Sequence, residues 1–277
     1  MNGKIICINK AIHTVLLDVD TIIETRTRGK LRNEKVFPVV GDNVAVDVKK
    51  KTIEAVLDRD NYLVRPQIAN IDKLLIVMST TIPAFSTYLI DKFLLIARYN
   101  KIEPIIVITK TDLITEEEKE KINNYVVYYR RLGVKVYYNT NIIGIKNEFL
   151  GSVVALCGQT GVGKSTLLNK IDPNLKLKTG EVSEALGRGK HTTRLVELLQ
   201  INHGLIADTP GFSSLDLKMP KTEIRKFYED FDVPCKYRSC LHVKEDGCEI
   251  IKLVDQKVIP DWRYQNYLKF LLEVSKW

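Results

Sequence analysis

Gly158-Gln159-Thr160-Gly161-Val162-Gly163-Lys164-Ser165 follows the apolar run Ser152-Val153-Val154-Ala155-Leu156-Cys157 and leads into Thr166-Leu167-Leu168-Asn169-Lys170. The run suits a buried strand and the last segment a helix. The octapeptide between them fits G-x-x-x-x-G-K-[ST]. Its glycines let the backbone turn tightly and come close to an anion. Successive N–H groups and the helix N-terminus can then cradle phosphates. Lys164 would reach the β- and γ-phosphates, and the Ser165 hydroxyl would bind Mg²⁺. A glycine-rich strand–helix turn that binds nothing needs neither of those two side chains.

The loop alone does not choose between adenine and guanine. Thr109-Lys110-Thr111-Asp112 does, because it fits [NT]-K-x-D and follows the apolar run Ile105-Ile106-Val107-Ile108. It therefore stands at the C-terminal end of a strand, where open α/β sheets bind ligands. The Asp112 carboxylate can accept from guanine's ring N–H and exocyclic amine, a pair adenine lacks. Lys110 can lay its aliphatic stem on the base. In most proteins with both elements the phosphate loop comes first; here it comes second. The parts are those of a GTPase, and their order is that of a circularly permuted one.

A third element, Leu205-Ile206-Ala207-Asp208-Thr209-Pro210-Gly211, reads as a strand running into D-x-P-G. Asp208 would hold Mg²⁺ through water, and the Gly211 N–H would meet the γ-phosphate. Before it lies Gly187-Arg188-Gly189-Lys190-His191-Thr192-Thr193-Arg194, where Thr192 or Thr193 can supply a second Mg²⁺-binding hydroxyl. This segment is expected to be a switch ordered by the γ-phosphate. Phe212 stands where many GTPases carry the glutamine that orients the attacking water. Phenylalanine cannot do that, so His191 becomes the candidate catalytic residue, against a reading in which it only touches phosphate or RNA.

Cys235, Cys240, His242 and Cys248 form C-x4-C-x-H-x5-C and hold three of the five cysteines. Three thiolates and one imidazole complete a tetrahedral zinc shell with no open position, so one structural Zn²⁺ is expected. The sequence shows no signal peptide, which argues against disulfides and for a cytoplasmic protein.

The chain has 277 residues, a net charge of +8 and a pI of about 9.1. That length allows two or three domains, and the basic balance favours a polyanionic partner such as RNA. No apolar run reaches the roughly 18 residues of a membrane span. Residues 1–66 carry five or six short β-type runs, among them Lys4–Ile8, Thr14–Leu17, Asp20–Glu24 and Lys51–Val56. These suggest a small closed barrel of the OB type. Its loop Arg26-Thr27-Arg28-Gly29-Lys30-Leu31-Arg32 carries four basic residues and is a candidate RNA contact. Residues 67–213 alternate strands with helical patterns and imply a mostly parallel sheet. Thr115 and Glu118 fit a capping box for a helix reaching about Leu132. Residues 214–277 read as a helix near Lys221–Phe231, the cysteine cluster, and a last helix from about Asp261. The last helix carries an inward stripe of Tyr264, Tyr267, Leu268, Leu271 and Leu272.

Together these parts resemble the circularly permuted, ribosome small-subunit-dependent GTPase A family of bacteria. The resemblance covers the whole chain. It rests on the order Thr109–Asp112, Gly158–Thr166, Asp208–Gly211, on His191-Thr192-Thr193, and on the Cys3His cluster. It implies a multidomain α/β protein with an OB-type barrel, a circularly permuted P-loop GTPase domain and an α-helical zinc-binding domain. It also implies GTP hydrolysis stimulated by the 30S subunit during late small-subunit maturation. The implied partners are 16S rRNA, GTP or GDP and other 30S maturation factors, with the protein a monomer and no membrane involved. One departure stands out: Tyr138-Asn139-Thr140-Asn141 replaces the Ser-Ala pair that many GTPases place near the guanine oxygen. Two other classes share parts of this pattern, an RNA-binding module with a vestigial nucleotide site and a P-loop ATPase. Lys164, Ser165 and Asp208 argue against the first and Asp112 against the second.

Overall fold

The computed structural model describes residues 1–17, 21–29, 37–64, 66–177, 196–208 and 216–274, with the Asp208 side chain left aside. Strands β1 (Asn2–Asn9), β2 (Ile12–Leu16), β3 (Ile22–Thr27), β4 (Asn43–Asp47) and β5 (Thr52–Val56) form the N-terminal unit. Their order is β1-β2-β3-β5-β4, and β4 returns to pair with β1, which closes a five-strand barrel. Only the β3–β5 pair is parallel. Ile5, Val15, Val44, Val46 and Ile53 fill the interior. Of the basic loop, Lys30 to Arg32 lie outside the described residues. Arg28 pairs with Glu54 across the barrel surface. A hairpin of β6 (Tyr62–Val64) and β7 (Gln67–Ala69) follows and straddles residue 66.

The second unit is built on β8 (Lys73–Ser79), β9 (Glu103–Thr109), β10 (Lys135–Tyr138), β11 (Val153–Cys157), β12 (Glu197–Ile201) and β13 (Gly204–Asp208). The order β10-β9-β8-β11-β13 is parallel throughout, and β12 is the antiparallel exception. β12 also pairs with β1 at Cys7 and Glu197, so one continuous sheet runs from the edge strand β10 into the barrel. Parallel strands are covered on both faces, which is why they read as unbroken apolar runs. On β8, Leu74, Ile76 and Met78 enter one core, while Leu75 and Val77 enter the other. Helices α1 (Thr87–Tyr99) and α2 (Glu116–Arg131) cover the first face; α3 (Ile142–Asn147) and α4 (Lys164–Ile171) cover the second. The Thr115–Glu118 capping box is present at the start of α2.

The C-terminal unit contains α5 (Lys221–Ile224), α6 (Glu249–Asp255) and α7 (Asp261–Val274). The helix expected near Lys221–Phe231 is broken into one α-turn and two 3-10 turns. The break at Tyr228 sends its ring inward, where its hydroxyl donates to Asp91 at 2.9 Å. The inner face of α7 also differs from the expected stripe. Leu272 is 67% exposed, whereas Arg263, Asn266, Tyr267, Phe270, Leu271 and Val274 are buried. Arg263 docks this unit onto the sheet's helical layer. Its guanidinium reaches Asp91 at 2.5 Å and Asp230 at 3.0 Å and stacks on Tyr228 at 3.6 Å. Burial works against that charge, but Asp91, Tyr228 and Asp230 hold the Arg263 pKa well above its usual value. Asp91 also accepts from Tyr129 at 2.9 Å and Asn266 at 2.8 Å, so its carboxylate is fully hydrogen-bonded. Among the described residues no helix is long and apolar enough to cross a membrane.

Candidate nucleotide site and metal centre

Parallel pairing decides where the motifs meet. β8 lies between β9 and β11, and all three end on the same side. The loops after them, Thr80–Ser86, Lys110–Thr115 and Gly158–Gly163, therefore emerge side by side. The two motifs written in reversed order are joined by a hydrogen bond: the Thr109 hydroxyl donates to the Val162 carbonyl at 2.5 Å. The loop needs its glycines. Gly158 has φ +132°, and a Cβ there would stand 2.2 Å from the Val77 carbonyl oxygen. Gly163, at φ +97°, turns the chain into α4.

Lys164 donates to the Gly158 carbonyl at 2.7 Å and to the Gln159 carbonyl at 2.9 Å. An ammonium has three N–H groups, so one is left to point at an anion above the loop. Burial lowers the Lys164 pKa, and an anion beside it would raise it again. Ser165 is buried in the first turn of α4, while Gln159, Thr160, Gly161 and Thr166 are exposed at the rim.

Asp112 borders a cleft of about 750 Å³ lined also by Thr80, Thr111, Ile114, Tyr138 and Thr140. It is exposed, so its carboxylate is solvated and open to a base. Lys110 adopts φ +60°, and its ammonium donates to the Ile82 carbonyl. The Asn139 side chain accepts from Thr111 at 3.3 Å, and Asn141 caps α3 by accepting from the Gly144 N–H at 3.0 Å. Tyr138 and Thr140 are thus the members of that tetrapeptide that line the cleft. Asp208 ends β13 beside Glu197. His191, Thr192, Thr193, Gly211 and Phe212 lie outside the described residues. Thr80 was not singled out from the sequence: it belongs to no motif, and only the β8–β9 register brings it to the cleft.

The second site is in the C-terminal unit. One ligand atom each from Cys235, Cys240, His242 and Cys248 lies within 4.8 Å of all the others. His242 Nδ1 is 3.5 Å from Cys235 Sγ and 3.4 Å from Cys248 Sγ, and those two sulfurs are 4.0 Å apart. A tetrahedral zinc with bonds of about 2.1–2.3 Å sets edges of about 3.5–3.8 Å, so the donor set fits such an ion. Burial, with Arg225 adding to it, lowers the His242 pKa and favours the neutral ligand form. Burial pushes the Cys240 thiol up to about 12. The loop is braced from outside: Tyr264 donates to the His242 carbonyl, Tyr267 to the Leu241 carbonyl and Arg225 to the Cys240 carbonyl, at 2.8, 2.9 and 3.0 Å.

Known proteins share this architecture. A family profile described as RsgA GTPase matches residues 56–218, and one described as RsgA N-terminal domain matches residues 2–56. The chain is 44% identical to the small ribosomal subunit biogenesis GTPase RsgA of Bacillus pumilus, over 99% of this chain and 97% of that protein. It is 42% identical to the Enterococcus faecalis protein of the same name, over 99% and 96%. The crystal structure of YjeQ from Thermotoga maritima superposes with a TM-score of 0.86 at 32% identity, covering 99% of this chain and 98% of that one. The structure of YloQ, described as a circularly permuted GTPase, gives 0.83 at 35% identity, covering 99% and 95%.

Proposed function

This chain belongs to the RsgA GTPase family, and on that premise we propose that it hydrolyses GTP to GDP and phosphate on the 30S subunit during late small-subunit maturation. The observation that carries the reading is the Thr109–Val162 hydrogen bond, which joins a guanine reader to a phosphate loop in one site. Mg²⁺ bound with GTP would neutralise charge on the β- and γ-phosphates. The chain's own groups do the rest. Asp112 accepts from the guanine edge, and Lys110 covers the base. The N–H groups of Gly158 to Thr166 wrap the phosphates, and Lys164 keeps its two carbonyl bonds while giving its third N–H to a phosphate oxygen. Ser165, Asp208 and Thr192 or Thr193 would supply oxygen ligands to the ion. Since Phe212 cannot orient water, His191 is assigned that task once the 30S subunit orders residues 187–194.

The three units divide the work. Residues 1–66 and 214–277 grip 16S rRNA, and residues 67–213 bind and cleave the nucleotide. The Cys235, Cys240, His242 and Cys248 shell holds one structural Zn²⁺, which fixes the loop before α6. Turnover of GTP and ATP by the purified protein, with and without 30S subunits, tests the reading. Slow turnover that is specific for GTP and accelerated by 30S is expected. Equal use of ATP, or no response to 30S, refutes it.

A further inference from the structure

Lys110 has a left-handed backbone, φ +60°, which disfavours any residue with a Cβ. The conformation therefore has to be held from outside. β8 and β9 run parallel with Ser79 beside Thr109, so the next residue on β8, Thr80, emerges beside Lys110. Its N–H donates to the Thr109 carbonyl at 3.1 Å, and its hydroxyl donates to the Lys110 carbonyl at 2.7 Å. Those carbonyls belong to the two peptide planes on either side of the left-handed residue. Two residues on, the Ile82 carbonyl accepts from the Lys110 ammonium. Pro83 then lies 3.8 Å from where a Cβ on Gly161 would be. The turn is thus tied to the base-reading loop and passes near the tip of the phosphate loop, and Thr80 lines the same cleft as Asp112.

We propose that Thr80 is a positioning residue for base specificity. Its hydroxyl clamps the peptide after Lys110, so that the chain from Thr111 onward delivers the Asp112 carboxylate to a purine carrying a ring N–H next to an exocyclic amine. The inference rests on Asp112 reading guanine. Thr80 itself need not touch the base. It acts through the backbone it holds, so its loss loosens the aim of the carboxylate without removing the charge.

The test measures dissociation constants of fluorescent guanosine and inosine diphosphates, which differ by that exocyclic amine. Wild type, Thr80→Val, Thr80→Ser and Asp112→Asn are compared as full-length proteins. Thr80→Val keeps the shape and the backbone N–H but loses the hydroxyl. It is expected to narrow the guanosine-over-inosine preference roughly three- to tenfold, the worth of one hydrogen bond. Thr80→Ser keeps the hydroxyl and is expected to keep the preference. If Thr80→Val does not fold, Thr80→Ala takes its place against the same serine control. A lowered melting temperature with an unchanged preference would mean that Thr80 is only structural, and it overturns the proposal. If Asp112→Asn loses the preference while Thr80→Val keeps it, the proposal fails and the guanine reading stands. If both keep it, the guanine reading fails and takes the proposal with it.

Discussion

Replacing Arg263 with methionine should cost about 3–4 kcal/mol of stability, most of it in the docking of the C-terminal unit. Arg263 and Asp91 are both fully buried. Removing one partner of such a pair costs about 3–5 kcal/mol, because a charge is left without its counterion. Asp91 keeps three neutral donors, Tyr129, Tyr228 and Asn266, which places the cost in the lower half of that range. Methionine refills the space of the aliphatic stem but not the stacking on Tyr228. Adding Asp91→Asn removes the orphaned charge, so the double variant should be more stable than the sum of the two single losses by about 2–3 kcal/mol. The penalty should also depend on pH. Burial already holds the Asp91 carboxyl pKa above its ordinary value and Arg263 opposes that rise, so without the cation it climbs further above the unfolded value. The folded state then binds more protons than the unfolded one, so the variant gains stability as pH falls. Urea titrations at pH 7 and pH 5, with excess zinc, measure both effects. Trp262 packs against Tyr125, Tyr128 and Tyr129 next to the ion pair and reports locally; a Trp277→Phe background isolates its signal. A loss below about 1 kcal/mol, or strict additivity in the cycle, would refute the reasoning.

Cys240→Ser should lose the bound metal, read by elemental analysis, and should unfold the segment after residue 214 while the barrel persists, read by hydrogen exchange. Glu148 accepts from Lys73 at 2.8 Å and from Tyr137 at 2.7 Å. Burial opposes its charge, yet these partners and Lys135 hold its pKa below the usual 4.5. Its contribution is complete above that unfolded value and is lost as pH falls through the folded one. Glu148→Gln should therefore cost about 1–2 kcal/mol at pH 7, and denaturation curves of the two proteins should converge in acid. His191→Ala should lower the 30S-stimulated kcat far more than it weakens GTP binding, the pattern of a lost transition-state contact; full stimulated turnover would make His191 a bystander.

The sequence exposed the strands because both their faces are buried, and it exposed the capping box at Thr115 because that signal is local. It also placed Thr109–Asp112 and Gly158–Ser165 at the ends of strands, since each is a short contiguous pattern after an apolar run. What it hid is what depends on distant partners. On a helical projection of α7, Leu272 looks like core and Arg263 like surface. The assignment reverses because Asp91 waits 172 residues upstream. Tyr228 turns inward for the same partner, and its turn breaks a helix that local periodicity favours. Thr80 carries no motif, and its role comes from the register of β8 against β9. The Cys7–Glu197 pairing that fuses barrel and sheet leaves no local trace at all.

The reversed order of the motifs also sets the order in which the sheet can be assembled as the chain is made. β8 finds β9 soon after synthesis, but its other neighbour, β11, arrives about 80 residues later. At about 5–20 residues per second that is roughly 4–16 s. Over that interval one edge of an apolar strand stays unpaired, a hazard for edge-to-edge aggregation. When β11 arrives it must lie down beside β8, and β13 must then seal its outer edge. The nascent chain carries the five barrel strands and Thr109–Asp112 before it carries Gly158–Ser165. A nucleotide that needs both elements therefore cannot template the early half of the sheet, and that edge of β8 stays open until Cys157 has emerged.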